Sequence, residues 1–302
     1  AQAVAMDRAI IEERLMGEFI ADGDWLNRLQ SPVTQDELDA RPLPFLLANP
    51  LIKNDLSSLD PSTVLVEYKW DGIRAQLIKT RETIRLWSRG DHDITEQFPD
   101  VVDAATTLPS QLILDGEILA GRPGHLLSFS DLQTRLNRKR ITHNLLKTHP
   151  VFFRAYDVLR RDGKDIRKKS LLYRKEVLAT LAVNQSPVTF PNTHEQIVAM
   201  RESAREASAE GVMIKRQQSP YLSGRKVGHW WKWKLDPMTA DCVLIYAQAG
   251  HGRRASLHSD YTLACWTSDG DLVPVAKAYS GLTDAELKAM DRWIRKHTVQ
   301  KF

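Results

Sequence analysis

Apolar residues near the start of the chain recur at helical spacing. Ile11, Leu15 and Phe19 stand at i, i+4 and i+8 and predict a helix over residues 1 to about 30. Residues 31–50 hold four prolines (Pro32, Pro42, Pro44 and Pro50) and predict an extended linker. From Val64 the period changes to two, so that Val64, Val66 and Tyr68 face one way and Leu65, Glu67 and Lys69 the other. Asp71-Gly72 signals a tight turn, and 73–79 and 83–87 continue the sheet beyond it. Further strands are predicted over 112–119, 151–159, 211–215 and 230–234, with helices over 128–138, 170–182 and 194–207. Strands separated by helices after an early hairpin predict an α+β domain with mixed antiparallel sheets rather than a strictly parallel one.

After Pro237 the texture changes to short strands over 241–247, 261–267 and 272–278, punctuated by 250–254 and 268–270. A helix follows, opened by Thr283 with Glu286 three residues on, the spacing of a capping box. Small strands with one helix fit part of an OB-fold β-barrel. The expected organisation is therefore a helical end of an upstream domain over 1–35, a catalytic domain over 36–237 and a partial barrel over 238–302.

Composition narrows the class only modestly. The 302 residues are 42 % apolar and 26 % charged, ordinary for a globular protein. No apolar run approaches the roughly 20 residues that span a bilayer, and no signal-peptide pattern opens the chain, so no membrane partner and a cytoplasmic location are expected. Two cysteines, Cys242 and Cys265, exclude a Cys₄ zinc site and argue against a disulfide framework; both are expected reduced, in strands. A net charge of +4 says little about nucleic acid. Local clustering says more, because residues 135–140 and 160–169 are rich in Arg and Lys. Such runs neutralise phosphates, or equally line a solvated surface.

The segment with most chemical content is Glu67-Tyr68-Lys69-Trp70-Asp71-Gly72-Ile73-Arg74. A lysine at the end of a strand, just before a turn, has a rigid support and an open front, both suited to a nucleophile. To attack phosphorus its amine must be neutral, which calls for desolvation or neighbouring positive charge. Alone, the pattern describes an exposed hairpin lysine at least as well.

The segment resembles the lysine motif of the covalent nucleotidyltransferases: ATP-dependent DNA ligases, RNA ligases and capping enzymes. Later matches follow in the family's order: Ser88-Arg89-Gly90, Leu114-Asp115-Gly116-Glu117-Ile118, residues 153–159 around Tyr156, Glu210 to Lys215, and Trp231-Lys232-Trp233-Lys234. Residues 41–47 and 129–136 look like corresponding stretches of bacterial ATP-dependent DNA ligases, which selects DNA over RNA. An NAD-dependent ligase is disfavoured, since its usual zinc-binding cysteines cannot be supplied.

The resemblance implies ATP as substrate, with AMP carried covalently on Lys69, Mg²⁺ (or Mn²⁺) as cofactor, and nicked duplex DNA as partner of a monomer in the nucleoid. Glu67 is expected to recognise the adenine amino group, Arg74 and Arg89 to hold phosphate and ribose, and Glu117 to meet a ribose hydroxyl or the metal. Tyr156 offers an aromatic face to adenine with Met213 opposite, Glu210 is the metal-side carboxylate, and Lys232 and Lys234 grip the α-phosphate from one strand face. Trp231 and Trp233 are expected to pack. Where family members read Gly-Lys-Arg, this chain has Gly224-Arg225-Lys226, which divides a phosphate contact between Arg225 and Lys226. The family's final Arg-rich motif is not found before Phe302, which predicts slow self-adenylation and a truncated barrel. RNA ligase or capping-type chemistry is the alternative reading.

Overall fold

The computed structural model describes residues 27, 30–136, 138, 140–252, 255–279 and 281–300. The helix expected over the first thirty residues lies almost entirely outside them. The chain divides into two compact units, one running to Leu235 and the other beginning at Asp236.

The proline-rich segment is not an extended linker. Thr34 caps helix α1 (Gln35–Asp39) in a capping box: its hydroxyl accepts from the Glu37 amide, and the Glu37 carboxylate accepts from the Thr34 amide. The prolines beyond it sit among short strands, β1 (Leu46–Leu47) and β2 (Asn49–Pro50). Both are edge strands, where a missing N–H costs no ladder bond.

The first unit then runs β3 (Val64–Trp70), β4 (Ile73–Lys79), β5 (Ile84–Ser88), α2 (Pro99–Ala105), β6 (Leu112–Arg122), β7 (His125–Leu126), α3 (Phe129–Leu136) and α4 (His143–Thr148). It continues with β8 (Val151–Arg161), β9 (Lys164–Asp165), α5 (Leu171–Ala179), α6 (His194–Glu202), β10 (Ala209–Arg216), β11 (Gly224–Arg225) and β12 (Trp230–Lys234). One sheet has the order β2-β12-β10-β3; the other follows β5-β4-β6-β8-β9 with β7 beside β6. Apart from the parallel β1–β11 and β2–β12 pairs, the ladders are antiparallel.

The Asp71-Gly72 turn is a crossing point, not a hairpin. β3 and β4 belong to different sheets, and the hairpin is β4–β5. Gly72 is required there by space: a Cβ would lie 2.4 Å from the Ile118 carbonyl oxygen on β6. The chain thus passes from one sheet to the other two residues after Lys69.

Three larger apolar clusters and a smaller one around Trp70, Leu119, Ala204 and Ala209 hold the described residues of this unit together. Phe98, Leu112, Leu114, Phe153 and Val158 pack with α2 on the outer side of the larger sheet. Val64, Val66, Val212 and Trp233 pack with Ile197 of α6 behind the smaller one. Leu46, Ile78, Ile113, Leu159, Tyr221 and Trp230 form a third cluster that draws on both sheets. Trp231 packs at the edge of the second cluster, so both flanking tryptophans of β12 are packing residues. The 135–140 run is not a phosphate grip throughout, because Arg135 is fully buried. Its guanidinium donates to both Asp100 carboxylate oxygens and to the carbonyls of Gln97 and His149.

The second unit holds β13 (Val243–Ala249), β14 (His258–Trp266) and β15 (Leu272–Ala278) in one antiparallel sheet, followed by α7 (Asp284–His297). Tyr261, Leu287 and Ile294 form its core, and Thr283 and Glu286 make the expected capping box. Both cysteines are free; Cys265 lies on β14, and Cys242 stands just ahead of β13. Among the described residues no helix is long and apolar enough to cross a membrane.

Candidate active site

β3 has one face in the apolar cluster behind it, so its other face must be polar or pay for burial elsewhere. Glu67 and Lys69 emerge from that face into a cavity of about 480 Å³ that collects residues from both sheets. β6 contributes Glu117, β8 Tyr156, β10 Glu210, Met213 and Lys215, and β12 Trp230, Lys232 and Lys234. Ser88, Arg89 and Gly90 close one end, and Arg225 stands at the rim. A volume of this size is in the range of small-molecule sites.

Two irregularities in the ladders aim the carboxylates. The register of β10 against β3 shifts between Ala209 and Val212, around Glu210. That of β6 against β8 shifts between Asp115 and Gly116, just before Glu117. A bulge turns a side chain out of strict alternation and is a common device beside active sites. At the first shift Gly211 has φ +143°, and a Cβ there would sit 2.3 Å from the Trp233 carbonyl oxygen.

Lys69 Nζ donates to Glu210 Oε1, and Lys234 pairs with the other oxygen of the same carboxylate. Burial raises the Glu210 carboxyl, but hydrogen bonds from Lys234 and Lys69 outweigh it and hold the group below its ordinary value. Glu117 is the opposite case. Burial pushes it up to about 8 against the attraction of Lys69 and Arg74, with Asp115 and Glu210 adding repulsion. Asp71 is also raised, by burial and then by Glu210. Lys232 is lowered by burial and by its cationic neighbours Arg225, Lys69, Lys234 and Arg89. A cavity whose lysine is destabilised by other cations is set to receive anions.

The donor set decides which ion or group the cavity fits. Glu117 is a carboxyl whose burial is left uncompensated, and Glu210 is close enough to repel it. Two carboxylates beside an anion site are the hard-oxygen set that Mg²⁺ takes when substrate phosphates complete its shell. The residues fit such an ion.

Most of the residues singled out by sequence converge here: Glu67, Lys69, Arg74, Arg89, Glu117, Tyr156, Glu210, Met213, Arg225, Lys232 and Lys234 all line the cavity. Lys226 does not; it is exposed, and its carbonyl accepts from the Asn49 side-chain amide. Arg74 lines the cavity with its guanidinium already engaged, donating to both oxygens of Asp115 at 3.1 and 2.7 Å and to Tyr221 Oη at 3.3 Å. Glu67 is 1 % exposed and paired with Lys175 and Lys215. Sequence reasoning missed Asp115, Tyr221, Lys175, Lys215 and Trp230. Asp115 and Lys215 lie inside motifs that were read, whereas Lys175 and Tyr221 carry no local signal.

A lysine, two carboxylates and a ring of cations in one cavity define the class of the site, an anion-binding pocket with an amine at its centre. The particular family follows from comparison. A family model described as the ATP dependent DNA ligase domain matches residues 46–234. A probable DNA ligase of Koribacter versatilis is 34 % identical over 286 residues, covering 85 % of this chain and 50 % of that protein. DNA ligase 1 of Korarchaeum cryptofilum is 30 % identical over 279 residues, covering 88 % and 51 %. Among solved structures, mycobacterial DNA ligase D complexed with ATP and MES matches with TM-score 0.54 and 25 % identity, over 86 % of this chain and 80 % of that one. The chain spans about half the length of these curated relatives. It belongs to the ATP-dependent DNA ligase domain family.

Proposed function

We propose that the protein seals 5′-phosphate/3′-hydroxyl nicks in duplex DNA through a lysyl-AMP intermediate and a DNA-adenylate. The observation that carries this reading is the convergence of Lys69, Glu117, Glu210, Lys232 and Lys234 in one cavity. In the first step the Lys69 amine attacks the α-phosphorus of ATP. The proton that Nζ shares with Glu210 is released first, which leaves the neutral amine. The N–P bond then forms, the bond to the pyrophosphate oxygen breaks, and the nitrogen gives a second proton to solvent. In the second step the 5′-phosphate of a nick displaces Lys69 and takes the AMP. In the third the adjacent 3′-hydroxyl attacks that phosphate, and AMP departs.

Phosphoryl-type transfer depends mainly on alignment and neutralisation of charge. Lys232 and Lys234 lie on one strand face and contact the α-phosphate. Arg89 and Arg225 meet the outer phosphates from the rim. Tyr156 and Met213 flank the base, and the ionised Glu67 accepts from its 6-amino group. Arg74, held by Asp115 and Tyr221, presents a fixed positive edge towards phosphate or ribose. When bound, Mg²⁺ (or Mn²⁺), held by Glu117 and Glu210, supplies further neutralisation of phosphate charge. We read residues 36–237 as the adenylation domain and the three-stranded unit that follows as part of an OB-fold barrel, with 1–35 ending an upstream DNA-binding domain. The working form is a monomer on nicked DNA in the cytoplasm.

A gel assay with 5′-labelled nicked duplex, ATP and Mg²⁺ tests this reading. Joining of nicked DNA in preference to nicked RNA, and with ATP in preference to GTP, is expected. Joining of RNA alone, or transfer of GMP, would replace it with the RNA-ligase or capping reading.

A further inference from the structure

Glu67 poses a physical problem that the transfer chemistry leaves open. A carboxylate removed from water pays several kcal/mol unless it is paired and hydrogen-bonded, and Glu67 is 1 % exposed. Two ammonium groups from distant parts of the chain meet it. Lys175, on α5, donates to one oxygen and Lys215, on β10, to the other. Neither lysine is placed by chance. Lys215 is itself 2 % exposed and lies 4.5 Å from the ring centre of Tyr156 and 4.2 Å from that of Trp230, within cation–π range. Lys175 follows Arg174, which is fully buried and makes a two-pronged pair with the buried Asp157 at 2.7 and 3.0 Å. That pair fixes the rotation of α5 and so the reach of Lys175.

We propose that Lys175 and Lys215 are positioning residues for base selection: they clamp Glu67 as an acceptor-only carboxylate whose free lone pairs require a donor on the base. This rests on the adenine-reading role given to Glu67 above. Burial raises the Glu67 carboxyl, yet Lys175 and Lys215 outweigh it and leave it below its ordinary value. An ionised carboxylate has about four acceptor sites, so two remain after the lysines are satisfied. A 6-amino purine donates to them from C6; a 6-oxo purine offers an oxygen there and keeps a donor only at the neighbouring N1. Without one clamp the buried acid gains a proton and with it a donor, which suits the 6-oxo group.

The test compares ATP with inosine triphosphate, which differs at that edge in carrying oxygen at C6 and a proton on N1. Dissociation constants are measured without divalent metal, so that binding is read apart from transfer to Lys69, for the 302-residue chain and for Lys175→Met, Lys175→Arg and Lys215→Met, with folding followed by circular dichroism. The wild-type chain should favour ATP by about 10- to 100-fold, the range of a charged hydrogen bond lost and a repulsion gained. Lys175→Met should reduce that ratio about 10-fold, weakening ATP while leaving inosine triphosphate unchanged or tighter, and Lys175→Arg should restore it. Equal weakening of both nucleotides by Lys175→Met, or a ratio unchanged in it, overturns the proposal. Should Lys215→Met fail to fold, the Lys175 pair still decides. Covalent labelling of the wild-type chain is the parallel control: label at Lys69 with unaltered selectivity in the variants refutes the clamp alone, and no nucleotide binding or label at all refutes the transferase reading with it.

Discussion

Replacing Glu117 with Gln should flatten the pH dependence of stability between about 4.5 and about 8. Its carboxyl is raised from 4.5 to about 8, chiefly by burial. A group whose folded value lies above its unfolded one keeps its proton in the native state where the unfolded chain has released it. The native state then binds more protons within that window, and stability falls as pH rises through it. Each pH unit carries about 1.4 kcal/mol, giving an upper bound of about 5 kcal/mol. Glu117 lines an open cavity and is only partly buried by area. Solvent screening there brings the expected loss nearer to about 2 kcal/mol. Gln mimics the protonated acid and cannot ionise, so urea denaturation across pH 5–8.5 should show the slope in the wild type and lose that component in Glu117→Gln. Added Mg²⁺ should restore stability at pH 8 in the wild type and not in the variant. Identical pH profiles for the two proteins would refute the reasoning.

Other perturbations probe the frame and the rim. Arg174→Met leaves Asp157 buried without its partner and should cost about 3–5 kcal/mol in denaturant unfolding; a change below 1 kcal/mol would contradict the anchoring role of this pair. Gly211→Ala forces a Cβ onto the Trp233 carbonyl at φ +143°, which should cost about 1–3 kcal/mol and misplace Glu210, seen as slower labelling by ATP at full occupancy. Arg225→Ala should raise the KM for ATP severalfold, whereas Lys226→Ala, outside the cavity, should leave it unchanged; the reverse result would reassign the phosphate contact.

How much of this was legible in the sequence varies with how local the cause is. The two-residue period of β3 separated the packed face from the face bearing Glu67 and Lys69, and that separation holds. The alternation of β12 likewise put Lys232 and Lys234 on the cavity side and Trp231 and Trp233 in packing. Asp71-Gly72 misled because the same dipeptide serves a hairpin and a close crossing, and only the Ile118 carbonyl beside Gly72 distinguishes them. The prolines at 42–50 obscured short edge strands, while the Thr34…Glu37 capping box ahead of them was readable and went unused. Register shifts beside Glu210 and Glu117 arise from pairing with distant strands, and their local mark is the glycine at each, Gly211 and Gly116. Arg135 looked like part of a surface charge run, but its partners Asp100 and the His149 carbonyl come from other elements. The clamp on Glu67 joins residues more than a hundred positions apart. No window of sequence contains both ends of it.

The proposed chemistry requires the Lys69 amine to be the acceptor of AMP. Incubation with ATP labelled at the α-phosphate and Mg²⁺, followed by peptide mapping, tests it directly. An acid-labile adduct of one AMP on Lys69, absent from Lys69→Ala, is expected. An adduct that survives Lys69→Ala, or maps to another residue, would contradict it.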